Sequence, residues 1–141
     1  MPPLTRWYIK TALVYFVLAL AVGLLLEAQK VWNFNLPYYG FYPVYIHLLV
    51  LGWLTLLILG VAYWMFPKYS RDLPRGSETL GWVSYILLNA GLALRMISEP
   101  LNTLAEPPGS AWGVLLVVAA LLQWMGGMVF VANTWARVKE K

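Results

Sequence analysis

The sequence predicts an all-α membrane protein, a bundle of four transmembrane helices with both termini in the cytoplasm. Of its 141 residues, 61% are hydrophobic and only 11% are charged, where a soluble domain carries about a quarter charged residues. Mean hydropathy is +0.67. Four long apolar runs, separated by clusters of Pro, Gly and charged residues, use nearly the whole chain. Lys and Arg fall mainly on one side of those runs.

The chain is read as a single domain over 1–141, with spans at about 8–28, 44–66, 79–98 and 110–135. The lead-in is short, basic and aromatic, with Arg6, Trp7, Tyr8 and Lys10. The apolar run after it passes into Glu27-Ala28-Gln29-Lys30 with no small-residue cleavage site, so it is expected to be a retained span. Residues 31–45 hold Trp32, Phe34, Tyr38, Tyr39, Phe41, Tyr42 and Tyr45, broken by Pro37, Gly40 and Pro43. Amphipathic rings collect at the headgroup level, so this stretch is expected to be a loop along the membrane surface.

The second span should end at Pro67. Lys68, Arg71 and Arg75 follow in a polar loop, and Ser77 or Thr79 is placed to cap the third span. Pro100, Pro107, Pro108 and Gly109 mark another loop, and Ser110 is placed to cap the fourth span. Arg6, Lys10, Lys68, Arg71, Arg75, Arg137, Lys139 and Lys141 lie on one side, and only Lys30 and Arg95 on the other. Positively charged loops stay inside, which sets both termini in the cytoplasm and the aromatic loop outside.

The chain has one histidine, His47, and no cysteine. Disulfides, iron–sulfur clusters and thiolate-held metals are thereby excluded. No phosphate-cradling glycine loop, Ser-His-Asp set or pair of histidines exists, and the basic residues are too scattered for nucleic acid. His47 sits about four residues into the second span, within roughly 6 Å of the outer interface. Glu27, Arg95 and Glu99 fall at a similar depth, and ionisable groups there are functional candidates by default.

Arg95 and Glu99 are one turn apart and can neutralise each other; Glu27 and Lys30 can snorkel in the same way. For His47 two readings stand side by side. One is a hydrogen bond to a neighbouring helix. The other is axial ligation of haem iron, which a neutral imidazole performs without adding charge to the bilayer. The propionates would then face the outer surface, where Arg95, Lys30 or the Trp and Tyr hydrogen-bond donors could meet them. The opposite axial position would be taken by Met96, by nothing, or by His47 of a second copy across a two-fold axis.

The run His47-Leu48-Leu49-Val50-Leu51-Gly52-Trp53-Leu54-Thr55, followed by Gly60-Val61-Ala62-Tyr63-Trp64-Met65-Phe66-Pro67, resembles the second helix of subunit I of haem–copper oxidases and nitric oxide reductases. Residues 8–23 resemble helix one of that family, and 80–95, with Trp82, Asn89 and Gly91, resemble helix three. The resemblance covers about residues 5–135. It implies that His47 ligates a low-spin haem b, with Arg95 and Met96 as cofactor-binding candidates and no copper. The family's active-site histidines lie in later helices, so no reduction of oxygen or nitric oxide by this chain alone is expected.

The resemblance thus implies a small haem b protein for electron transfer or diatomic-gas sensing in respiration or denitrification. It would sit in a bacterial or archaeal cytoplasmic membrane, as a homodimer sharing haem between two His47 side chains or within a larger oxidase or nitric oxide reductase complex. The alternative is a cofactor-free accessory subunit of such a complex. A small transporter is disfavoured because the span centres carry no charged pairs.

Overall fold

A computed structural model describes residues 1–33, 35–71, 73–105 and 111–138. Among these the chain forms four helices long and apolar enough to cross a membrane: α1 Pro3–Trp32, α2 Tyr38–Met65, α3 Glu78–Leu104 and α4 Ala111–Arg137. The expected all-α, four-span class is therefore what the chain adopts. The loop holding Pro107, Pro108 and Gly109, and the expected cap Ser110, lie outside the described residues.

Local chemistry sets most of the helix ends. Pro3 occupies the first position of α1, where its missing N–H would have no helical partner. Asn33 ends that helix in the left-handed conformation, its N–H donating to the Gln29 carbonyl. Phe66 is extended because it precedes Pro67, and this stops α2. Of the two expected caps of α3, Ser77 is the one used: its hydroxyl accepts from the Leu80 N–H.

Two prolines expected to mark loops lie inside helices instead. α2 already begins at Tyr38, so Tyr38, Tyr39, Tyr42 and Tyr45 ride on a helix rather than a surface loop, and Pro43 is in its second turn. The carbonyl that Pro43 leaves without a helical partner belongs to Tyr39, which is 83% exposed and open to water or headgroups. Pro100 lies inside α3, where its backbone backs onto Gly40 of α2; a Cβ at Gly40 would stand 2.9 Å from the Pro100 Cα.

The middle of α2, Leu48–Thr55, is wound as a π-helix. Its wider turn shows in the Thr55 hydroxyl, which donates 2.8 Å to the Val50 carbonyl five residues back. Combined with ordinary α turns on either side, it gives α2 a burial period near four. Gly40, Val44, Leu48, Gly52, Leu56 and Gly60 are buried in one straight seam, while Val50, Leu54 and Ile58 face outward. An unbroken 3.6-residue helix would carry that seam off the contact.

Packing is by close approach. At Gly52 and Gly60 a Cβ would lie 2.8 Å from the Tyr15 Cβ and 2.6 Å from the Tyr8 Cβ, so α1 rests almost directly on the α2 backbone. The tyrosines then reach past to α3. The Tyr8 hydroxyl donates to Ser84, whose own hydroxyl donates to the Gly126 carbonyl of α4; the Tyr15 hydroxyl donates to Asn89; Thr11 and Tyr85 share a 2.6 Å hydrogen bond. α4 packs chiefly along α3.

At the end where α1 starts and α4 finishes, Arg137 is 1% exposed. It donates to the carbonyls of Tyr63, Phe66 and Pro67, the unpaired end of α2, over the faces of the Tyr63 and Phe66 rings. Asn133 clasps the backbone of Ser77 in both directions.

The glycine contacts give a test. Gly60→Leu should destabilise the protein by about 1–3 kcal/mol through overpacking, read from thermal unfolding in detergent. Gly127→Leu, at a position with nothing within 4 Å, should change stability by less than about 0.5 kcal/mol. Equal effects of the two would contradict this packing.

Candidate functional site

The straight seam of α2 decides where His47 points. Trp53, on one flank of the seam, meets Phe16 of α1, with ring centroids 4.3 Å apart. His47, on the opposite flank, turns to α3. There its Nδ1 lies 2.9 Å from Glu99 Oε1, and its Nε2 lies 3.4 Å from Arg95 Nη1. Arg95 Nη1 also donates to the same Glu99 oxygen at 3.1 Å. One turn of α3 supplies both charged groups, and a neighbouring helix supplies the imidazole.

The side chains of His47, Arg95 and Glu99 are 28%, 18% and 8% exposed, so the cluster is half-sealed with the imidazole as its open edge. With a neutral imidazole the net charge is zero, the condition under which a guanidinium and a carboxylate are tolerated at this depth. Its polar atoms are nevertheless not all used. The Nδ1–Oε1 approach is close enough for an ion pair, but the angle is not that of a hydrogen bond. His47 Nδ1, Arg95 Nε and Glu99 Oε2 are buried without hydrogen-bond partners. Such groups are costly when left alone and mark a site whose polar capacity exceeds its own internal pairing.

Of the residues expected in a polar layer, three come together and one does not. Glu27 pairs with Lys30 at 2.7 Å on the exposed end of α1, apart from His47. Arg95 and Glu99 form the ion pair that their spacing predicts. Met96, one residue from Arg95 and turned by about 100°, packs against the apolar cluster of Ala19, Val44 and Leu48. The His47–Glu99 approach was not foreseen. Their shared depth was visible in the sequence, but their facing directions depend on the π-helical turns. Among the described residues no group of three or more His, Cys, Asp or Glu gathers that could hold a metal ion.

These features define an integral membrane helix bundle whose one histidine lies partly exposed beside a carboxylate. The family model for cytochrome c and quinol oxidase polypeptide I matches residues 3–141, and the chain belongs to that family. No curated protein and no solved structure matches it.

The triad predicts a specific non-additivity. Glu99→Met alone strands Arg95 and should cost about 3 kcal/mol, whereas Arg95→Met combined with Glu99→Met should recover much of that loss. Thermal unfolding of the two single variants and the double variant measures it, and simple additivity would mean that the two side chains do not share one buried site.

Proposed function

We propose that this subunit-I-like protein holds haem b through Nε2 of His47 and serves electron transfer or diatomic-gas sensing in respiration or denitrification. The observation that carries the reading is the Glu99 carboxylate 2.9 Å from Nδ1. Histidines that ligate metals regularly offer their second nitrogen to a carboxylate, which fixes the tautomer and raises the basicity of the ligating one. The donor set is compatible with an iron porphyrin: one imidazole with a carboxylate beside Nδ1, and an Nε2 whose contact with Arg95 is long at 3.4 Å. Haem would supply a one-electron couple or an open iron coordination position.

The protein's own groups have defined parts in this reading. Glu99 would orient the ring once the imidazole turned to donate from Nδ1 to its carboxylate, already 2.9 Å away. Arg95 leaves Nε2 and becomes the cation available to a propionate, since its contact there is long at 3.4 Å. Met96 is taken up in the Ala19, Val44 and Leu48 cluster, which favours His47 of a second copy for the opposite axial position. In a bacterial or archaeal cytoplasmic membrane, with the basic ends inward, the site faces outward.

A second reading is favoured by the same Arg95 contact. If Arg95 keeps Nε2, the triad is a closed, charge-balanced pin between α2 and α3, and the chain is a cofactor-free accessory subunit of a larger oxidase or nitric oxide reductase.

Absorption spectra of protein purified from haem-replete cells separate the two. Haem ligation predicts a Soret band at one haem per two chains, lost in His47→Ala. In Glu99→Gln it predicts haem affinity lower by about 10–100-fold. A colourless, folded protein that co-purifies with a larger enzyme would overturn it in favour of the accessory subunit.

A further inference from the structure

The side of α1 turned away from the bundle carries two adjoining surface patches of opposite character, a shallow basic one and an apolar one. The first, of about 200 Å³, is lined by Pro3, Arg6, Trp7 and Lys10. The second is a nearly flat apolar strip formed by Leu13, Val14, Val17 and Leu18. Lys10 and Leu13 or Val14 are three and four residues apart, so the basic patch meets the apolar one within about one helical turn, or ~5 Å, along the same stripe. None of these side chains is used in holding the bundle together: Trp7 is 55%, Val14 58% and Val17 64% exposed.

Arg6 and Lys10 also form no ion pair among the described residues, and the first turn of α1 has no acidic residue. Two cations and an indole stand at the level where the apolar stripe begins. A ligand that satisfies this arrangement is anionic at one end and carries a hydrocarbon chain long enough to run along the helix.

We propose that this face of α1 is a binding site for an anionic phospholipid of the leaflet in which the N-terminus lies. Arg6 and Lys10 hold the phosphate, Trp7 packs at the glycerol level, and an acyl chain runs along Leu13, Val14, Val17 and Leu18. Charge complementarity selects the lipid over a neighbouring apolar helix, which would leave both cations unpaired. The site is remote from His47 and stands whether or not haem is bound.

Native mass spectrometry of the full chain, released from nanodiscs containing equal amounts of phosphatidylglycerol and phosphatidylcholine, tests it. Phosphatidylglycerol should be retained in preference by about tenfold, and Arg6→Gln with Lys10→Gln should abolish the preference. Lys68→Gln with Arg71→Gln, which removes the same charge from the exposed α2–α3 loop, should leave it intact. Equal retention of the two lipids, or a preference that survives loss of Arg6 and Lys10, overturns the proposal. So does a preference lost equally in the loop variant, which would be general electrostatics. Inorganic phosphate or glycerophosphoglycerol competing as well as the whole lipid would overturn the acyl contact and reduce the site to one for a free anion.

Discussion

The structure depends on how closely α1 can lie on α2. Lipid tails are as apolar as leucine, so burying one apolar helix face against another gains little in a membrane. What holds helices together there is contact distance and hydrogen bonding. Gly52 and Gly60 remove the side chains that would separate the two backbones, and Tyr15 and Tyr8 settle into the space. From that position their hydroxyls reach Asn89 and Ser84 on α3, and Ser84 passes the connection on to α4. Without the glycines the tyrosines would stand off α2, and the bonds to α3 would lengthen with them.

The two ends of the bundle handle a buried cation in different ways. Arg137 is neutralised by helix geometry: three carbonyls at the end of α2 accept its protons, and the partial negative charge there supplies the electrostatic partner. Arg95 is neutralised by a formal charge, Glu99, and shares it with an imidazole. The first arrangement is spent on structure, since it ties α4 to α2 and closes the terminal end. Both arrangements leave atoms without partners, Arg137 Nη1 in the first and His47 Nδ1, Arg95 Nε and Glu99 Oε2 in the second, but in the second one residue also lies partly open. That asymmetry gives a physical reason to look for function at the His47 end.

Composition and charge placement made the fold class legible, because both follow from the solvent rather than from the tertiary contacts. Ser77 as a cap and Pro67 as a stop were legible for a similar reason: each acts on its own backbone. Pro43 and Pro100 misled, since a local rule says that proline ends a helix, while both helices continue through theirs. The site was half legible. Depth along a helix is a matter of counting, so His47, Arg95 and Glu99 could be placed at one level. Azimuth is not, because the π-helical stretch changes the angle per residue in the segment that follows His47. An α-helical wheel therefore misaligns the ring with the seam below it, and the pairing with Glu99 drops out of view.

The same cluster answers how a membrane protein can keep a ligand-ready imidazole before any ligand arrives. An isolated histidine at this depth would be stable enough, but free to rotate. A histidine fixed by a carboxylate alone would bring an uncompensated negative charge into a poorly hydrated site. Adding Arg95 one turn from Glu99 cancels that charge, and the 3.4 Å contact to Nε2 is long enough to be given up. If the proposed haem were bound, Arg95 would be the cation of the cluster placed to meet a propionate. Removing the guanidinium would therefore unbalance both states, whereas removing the imidazole would leave a neutral Arg95–Glu99 pair. By charge balance, His47 is the member of the triad whose loss should cost the fold least.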